Sequence, residues 1–214
     1  MNSKQAKKEN YKKERAAEIE YIVIHYTANN GDTAEGNANY FANNKVYTSA
    51  HYFVDEKEIW QSVKESDTAF HCGAKKYRHD KCRNANSIGI EMCSRRNTDG
   101  KYYIKKETVE RTVELTKSLM KKYNIDVKHV LRHYDVTGKN CPLPFVEQPV
   151  LWKKFIQNLV KDTEMEKQIT IKLNGVKKNV NVIEKDGYNY IKMQDLRDEK
   201  ISVEYNVLPV IKVR

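Results

Sequence analysis

The segment RHYDVTGKNCP, Arg132 to Pro142, places His133, Lys139 and Cys141 within nine positions. Imidazole and thiolate are both good zinc ligands. A catalytic zinc takes three protein ligands and leaves its fourth position to water. Two ligands from one segment require a third from elsewhere, and His25 is the natural candidate. It ends the apolar run IEYIVIH (Ile19–His25), which reads as a buried strand, as His133 ends the short strand in HVLRHY. If these strands are neighbours in one sheet, their C-terminal ends converge where sites of α/β sheets form. A His/His/Cys centre with an open position would bring the pKa of a bound water toward ~7. Lys139, two residues from the thiolate, would then stabilise an oxyanion beside the metal. Glu91 is the lone acid of SIGIEMC, and burying it is costly unless a cationic group is near. There it could take a proton from water and hand it to a leaving amine. The chemistry is that of metal-assisted amide hydrolysis.

Each residue also has a bland reading. A lone histidine at a strand end is more often a satisfied structural residue than a ligand. A lone cysteine is usually a small core hydrophobe, and Glu91 could face solvent on a sheet surface. A rival metal reading comes from HCGAKKYRHDKC, which packs His71, Cys72, His79 and Cys82 into twelve residues. With a net charge of +10 this suggests a zinc-knuckle nucleic-acid binder. Its spacing fits none of the usual finger patterns, however, so no nucleic-acid partner is expected. A cysteine protease with Cys141 as nucleophile is the other rival. Pro142 follows directly, and no helix N-terminus is evident there to lower the thiol pKa.

The elements that must position these residues read as an α/β pattern. TAEGNANYFANN reads as a short helix, and Ser49–Val63 as two strands around a turn near Asp55–Lys57. Asn86–Ser94 reads as a further apolar strand. KKETVERTVELTKSLMKKYNI is the clearest helix, with Val109, Val113, Thr116, Leu119, Met120 and Tyr123 at helical spacing. EQPVLWKKFIQNLVKD is a second helix, with Val150, Leu151, Phe155, Ile156 and Leu159 assigned to its apolar side. The texture then changes. TEMEK (163–167) reads as a linker, and 168–214 as a small β-rich module with hairpin signals at Asn174-Gly175 and Asp186-Gly187. The expected organisation is therefore a catalytic domain over 1–162, a linker over 163–167 and the module over 168–214. The first 17 residues are expected to be a mobile charged arm.

At 214 residues the chain suits one good-sized domain plus a small one. No apolar run approaches the ~20 residues of a membrane span. The lysines near the N-terminus have no apolar stretch behind them, so no signal peptide is expected. The positive charge implies attraction to polyanions, among which charge alone does not choose.

Five stretches in order, YIVIHYTAN, TSAHYFVD, TAFHCGA, NSIGIEMCS and LRHYDVTGKNCP, together resemble the zinc-dependent N-acetylmuramoyl-L-alanine amidases of type 2. These are relatives of the peptidoglycan recognition proteins, and the likeness is to a phage or prophage endolysin of a Gram-positive host. It covers roughly residues 10 to 160. The resemblance implies a mixed central β-sheet flanked by helices. It implies one Zn2+ held by His25, His133 and Cys141, the last a position that is Cys in some branches and Asp in others. It also implies Lys139 as oxyanion stabiliser and Glu91 as general base. Other branches use a tyrosine at the position that looks like His51 here, which leaves His51 as structural or substrate-binding. His71 falls where the family lines its cleft. The implied reaction cuts the amide between the lactyl group of N-acetylmuramic acid and L-alanine of the stem peptide. A catalytically inactive recognition protein is the alternative. The resemblance makes Cys72 and Cys82 a local disulfide or free thiols. It makes peptidoglycan the partner, with anionic wall polymers drawn by the basic charge and a homodimer possible through the C-terminal module. It implies synthesis in the host cytoplasm and action at the wall after release. The C-terminal module weakly resembles stalk-like modules of Gram-positive surface proteins, so wall binding is expected of it.

Overall fold

The computed structural model describes residues 1–160 and, beyond them, 165–173, 175–185, 188–191, 196, 201–205 and 209–213. The chain forms two compact units, Met1–Val160 and Lys161–Arg214. The first unit contains, in chain order, β1 (Asn2–Ser3), β2 (Tyr11–Lys12), β3 (Tyr21–Tyr26), α1 (Ala34–Asn43), β4 (Tyr52–Val54), β5 (Ile59–Gln61), β6 (Thr68–Ala69) and β7 (Ser87–Met92). There follow β8 (Arg95–Arg96), β9 (Tyr102–Tyr103), α2 (Lys106–Tyr123), β10 (Val130–Arg132), α3 (His133–Thr137), α4 (Leu143–Glu147) and α5 (Pro149–Val160).

Six strands form the central mixed sheet in the order β1-β5-β4-β7-β3-β10. The four strands β4, β7, β3 and β10 are mutually parallel, and β5 runs against β4. Side chains alternate across a strand, so cross-strand partners share a face. In β3 and β7, Ile22 pairs with Ile88 and Ile24 with Ile90. These four are completely buried and pack with Val113, Leu119, Phe155 and Leu159 of α2 and α5. Full burial of one such side chain contributes about 1.5–3 kcal/mol, so this face anchors the sheet. The other face carries Tyr21 opposite Ser87, Val23 opposite Gly89 and His25 opposite Glu91. Tyr21 and Val23 pack there with Cys72, Cys82 and Val136. The alternation in SIGIEM thus separates a greasy face from a chemical one.

Several expectations need correction. The N-terminal arm is packed rather than mobile. β1 pairs with β5, and β2 with β6. Asn10 is fully buried, and its amide donates to Phe41 O and Asn44 O while its Oδ1 accepts from the N–H groups of Val46 and Tyr47. Arg15 donates to the carbonyls of Glu65, Ala85 and Ser87. On α5, Val150 and Leu151 are exposed and Trp152 takes their expected place against the core, stacked on Phe155. The terminal strand ends at Arg132, and His133 opens a helix.

In the second unit, β11 (Met165–Leu173), β12 (Val176–Lys185) and β13 (Tyr188–Ile191) form an antiparallel sheet. β14 (Ile201–Tyr205) pairs antiparallel with β15 (Pro209–Val213). Val180, Val182 and Leu196 form its small core with Ile169, Ile171 and Ile191. β11 begins inside the stretch expected to be a linker, of which Thr163 and Glu164 lie outside the described residues. Leu173 pairs with Val176 across Gly175, whose φ of +85° suits a tight hairpin. Asn174, Asp186 and Gly187 lie outside the described residues.

Candidate active site and metal centre

The register of three parallel strands builds the site. On β10, Arg132 pairs with Ile24 of β3, so the residues that follow, His133 and His25, stand side by side. Their ring centroids are 4.6 Å apart. On the opposite flank Glu91 of β7 pairs with His25. All three sit at the C-terminal ends of the parallel strands, where α/β sheets place their sites. Gly138, at φ +84°, ends α3 in a left-handed turn and sends the chain back toward the sheet. Tyr134 N–H then donates to Cys141 O at 2.9 Å, which fixes the returning segment. Asp135 holds the start of α3 by accepting from Arg132 N–H and its guanidinium.

The result is a buried cluster. One donor atom each from His25, His133 and Cys141 lies within 4.8 Å of the others. His25 Nδ1 is 3.7 Å from Cys141 Sγ and 3.9 Å from Glu91 Oε1. Zinc–nitrogen and zinc–sulfur bonds at a tetrahedral angle put their two donors about 3.6 Å apart. Among the described residues, His133 Nδ1 and Glu91 Oε2 are buried without a hydrogen-bond partner, a costly state that a bound cation and its water would relieve. Burial, reinforced by neighbouring histidines and Lys139, holds His25 well below the usual histidine range. Burial and Lys139 bring His133 down to about 4. Both are therefore neutral imidazoles with lone pairs to offer, as metal binding requires. The donor set fits zinc.

Glu91 is pushed up to about 8 by burial, with Lys139 opposing and Asp32 adding to the shift. Burial also raises the Cys141 thiol, and the Glu91 carboxylate raises it further. A helix does begin beside Cys141, at Leu143, contrary to the sequence reading. The raised thiol still makes Cys141 a poor free nucleophile. Two clefts flank the cluster. One of about 650 Å³ is lined by Thr27, Asn29, Asp32, Tyr40, Phe53 and Glu91. The other, about 620 Å³, is lined by Tyr47, Phe70, His71, His133, Gly138 and Lys139.

His51 is placed elsewhere. It is fully buried, its Nδ1 accepts from Gly89 N–H at 3.0 Å, and its Nε2 faces Asp67 O at 3.3 Å. It braces the sheet, and nothing of it is exposed to a substrate. His71 lines the second cleft but is mostly buried, and both its ring nitrogens are engaged, with His25 and with Ser87. Cys72 and Cys82 are free thiols in the apolar layer, and His79 Nδ1 accepts from Cys82 N–H. Among the described residues the one group with metal-ligand spacing is His25, His133 and Cys141, so the zinc-knuckle reading has no geometric support. Sequence reasoning missed Ser87, Asn84 and Asn10. Of these only Ser87 carried a signal, its place on the same strand face as Gly89 and Glu91.

A mixed sheet flanked by helices and a buried two-histidine, one-cysteine cluster at its strand ends define an α/β domain with a candidate single-metal centre. Residues 15–144 match the N-acetylmuramoyl-L-alanine amidase family, Amidase_2, and the chain belongs to it. It is 32% identical over 211 residues to N-acetylmuramoyl-L-alanine amidase CwlL of Bacillus licheniformis, covering 90% of this chain and 56% of that protein. It is 38% identical over 141 residues to BlyA of Bacillus subtilis, covering 60% of this chain and 37% of that one. The chain thus spans about half or less of the length of these relatives. Among solved structures it is similar to an endolysin mutant from Bacillus subtilis, with a TM-score of 0.60 and 30% identity, covering 74% of this chain and 99% of that one. It is also similar to the amidase AmiD from E. coli, solved with anhydro-N-acetylmuramic acid-L-Ala-D-gamma-Glu-L-Lys, at TM-score 0.52 and 28% identity, covering 67% and 59%.

Proposed function

We propose that this chain is a zinc-dependent N-acetylmuramoyl-L-alanine amidase of endolysin type. It hydrolyses the amide between the lactyl group of N-acetylmuramic acid and L-alanine of the stem peptide. The observation that supports this reading best is the buried cluster of His25, His133 and Cys141 flanked by Glu91 and Lys139, in a chain of the amidase family. The three side chains would hold Zn2+, which when bound lowers the pKa of water and polarises a carbonyl. Glu91 Oε2, buried and unpartnered, takes the proton of the attacking water and delivers it to the leaving nitrogen of L-alanine. Burial raises the proton affinity of Glu91 above that of an ordinary carboxylate, and the positive charge of a bound metal would bring it back toward the ionised form that accepts a proton. The Lys139 ammonium, exposed at the mouth of the second cleft, faces the developing oxyanion. The two clefts would seat the sugar and the stem peptide on either side of the scissile bond. The partner is bacterial peptidoglycan at the cell wall. The charge of +10 draws the protein to anionic wall polymers. The second unit adds wall affinity and is the surface through which a homodimer would form.

The test is mass spectrometry of purified Gram-positive peptidoglycan after incubation with the protein, with and without a chelator. Stem peptides with new L-alanine N-termini, lost on chelation and restored by zinc, are expected. Intact peptidoglycan that nevertheless binds the protein would replace this reading with a recognition protein.

A further inference from the structure

Resting on that choice of metal ligands, we propose that Ser87 and His71 form a hydrogen-bond relay that presets the tautomer of His25, so that His71 is a positioning residue for the metal centre. The relay starts from an atom with no choice. Arg83 O is a carbonyl and only accepts, and Ser87 Oγ lies 2.6 Å from it. A hydroxyl has one hydrogen, so that hydrogen goes to Arg83 O. Ser87 Oγ must then accept from its other neighbours, His71 Nε2 at 3.1 Å and the Cys72 thiol at 3.9 Å. His71 therefore carries its hydrogen on Nε2. When His71 is neutral it has this single N–H, and its Nδ1 is bare. It lies 3.0 Å from His25 Nε2 and accepts from it. His25 is thereby protonated at Nε2 and bare at Nδ1, the atom that faces Cys141 Sγ and Glu91 Oε1.

Two further features are consistent with this arrangement. With Nδ1 bare, the Cys141 thiol 3.7 Å away can donate to it. The His71 ring is also clamped. Its backbone N–H donates to Asn84 Oδ1 at 3.1 Å, and the ring lies flat over Gly89. A Cβ at position 89 would stand 2.5 Å from His71 Cγ, so only glycine leaves room for the ring. The face of β7 thus supplies three parts in alternation: Ser87 ends the relay, Gly89 makes space for it, and Glu91 meets the ligand it orients. Partners that orient a ligating histidine typically change metal affinity 10–100-fold when removed, which sets the expected effect at roughly that size.

The test reads tautomers and metal affinity without any wall substrate. In the metal-free 15N-labelled protein, two-bond 1H–15N correlations should show His25 and His71 both protonated at Nε2. Ser87→Ala should shift both toward the Nδ1-protonated form. In competition with a chromophoric chelator, Ser87→Ala and His71→Leu should bind zinc about 10–100-fold more weakly. His71→Asn, whose amide oxygen can take the place of Nδ1 as acceptor, should bind within a few-fold of the parent. Wild-type His25 protonated at Nδ1 would overturn the proposal, as would parental zinc affinity in both Ser87→Ala and His71→Leu. A His71→Asn variant as weak as His71→Leu, with an unchanged thermal midpoint, would reduce His71 to packing and overturn it too. A protein that binds zinc through this relay yet leaves peptidoglycan intact would sink the amidase reading alone.

Discussion

At the scale of single residues, Glu91 and Cys141 are assigned different tasks, and substitution separates them. Glu91→Gln keeps the shape of the side chain and removes its capacity to take a proton. It is expected to retain one zinc per chain while amide cleavage falls about 10²–10⁴-fold, the usual worth of a positioned acid–base group. Cys141→Ala is expected to lose the metal and the activity together, because two histidines make a weak site. Metal analysis beside a peptidoglycan digest distinguishes the two. A Glu91→Gln protein of full activity would remove the carboxylate from the mechanism. The three residues of the candidate metal centre stood out in the sequence because His25 lies near the end of an apolar strand, and His133 and Cys141 fall close together just beyond another, although the helix α3 between those two was not foreseen. The roles of His51 and His71 were not legible. Both histidines depend on partners 16–38 positions away, at Asp67, Ser87 and Gly89, and a linear reading has no access to those pairings.

At the scale of elements, β3, β7 and α2 declared themselves by period: an apolar strand, a strand with one lone acid, and an amphipathic helix. The short helix α3 did not, since a five-residue helix carries less than two turns of pattern. The arm was misread because its lysines dominate its composition, whereas the polar side chains that anchor it are chiefly Asn10 and Arg15. Asn10 supplies four hydrogen bonds to the 41–47 segment and holds Tyr47 at φ +54°, on the rim of the second cleft. Asn10→Ala leaves those backbone groups without partners and is expected to cost about 1–3 kcal/mol, read as a lower urea midpoint at unchanged slope. An unshifted midpoint would return the arm to the status of a passive tail. Glu56 ties the start of α2 to β8: its carboxylate pairs with Lys105 at 2.8 Å and Arg95 at 2.7 Å. The Lys105 hydrogen bond leads in holding it down at about 2, from an ordinary value of 4.5. A depressed carboxylate stabilises the fold above its unfolded pKa and loses that contribution as pH falls through the folded one. Glu56→Gln should therefore cost about 1 kcal/mol at pH 7, allowing for solvent screening, and almost nothing by pH 2. A cost that does not shrink on acidification between those limits would mean that packing, not charge, is what Glu56 contributes.

At the scale of the molecule, the division into two units bears on how the proposed enzyme finds its substrate. The first unit holds every member of the candidate site and its own core, so residues 1–162 should hydrolyse purified, accessible peptidoglycan. The second unit contributes none of those side chains. If it serves as a wall anchor, its loss should spare cleavage of soluble muropeptides and weaken binding to whole cells. The two units acting on one wall raise each other's effective concentration, so the whole chain should bind more tightly than either alone. The part of that affinity carried by charge should fade as salt rises, because screening shortens the reach of the lysines from about 10 Å at 0.1 M to about 3 Å at 1 M. Pull-down of the full chain and of residues 1–162 on whole cells, at both salt concentrations, measures the two contributions together. A full chain that outbinds the truncated one at both salts supports a specific anchor in the second unit. Equal binding at both would assign wall attachment to the catalytic unit and leave the second unit a role in association between copies of the chain.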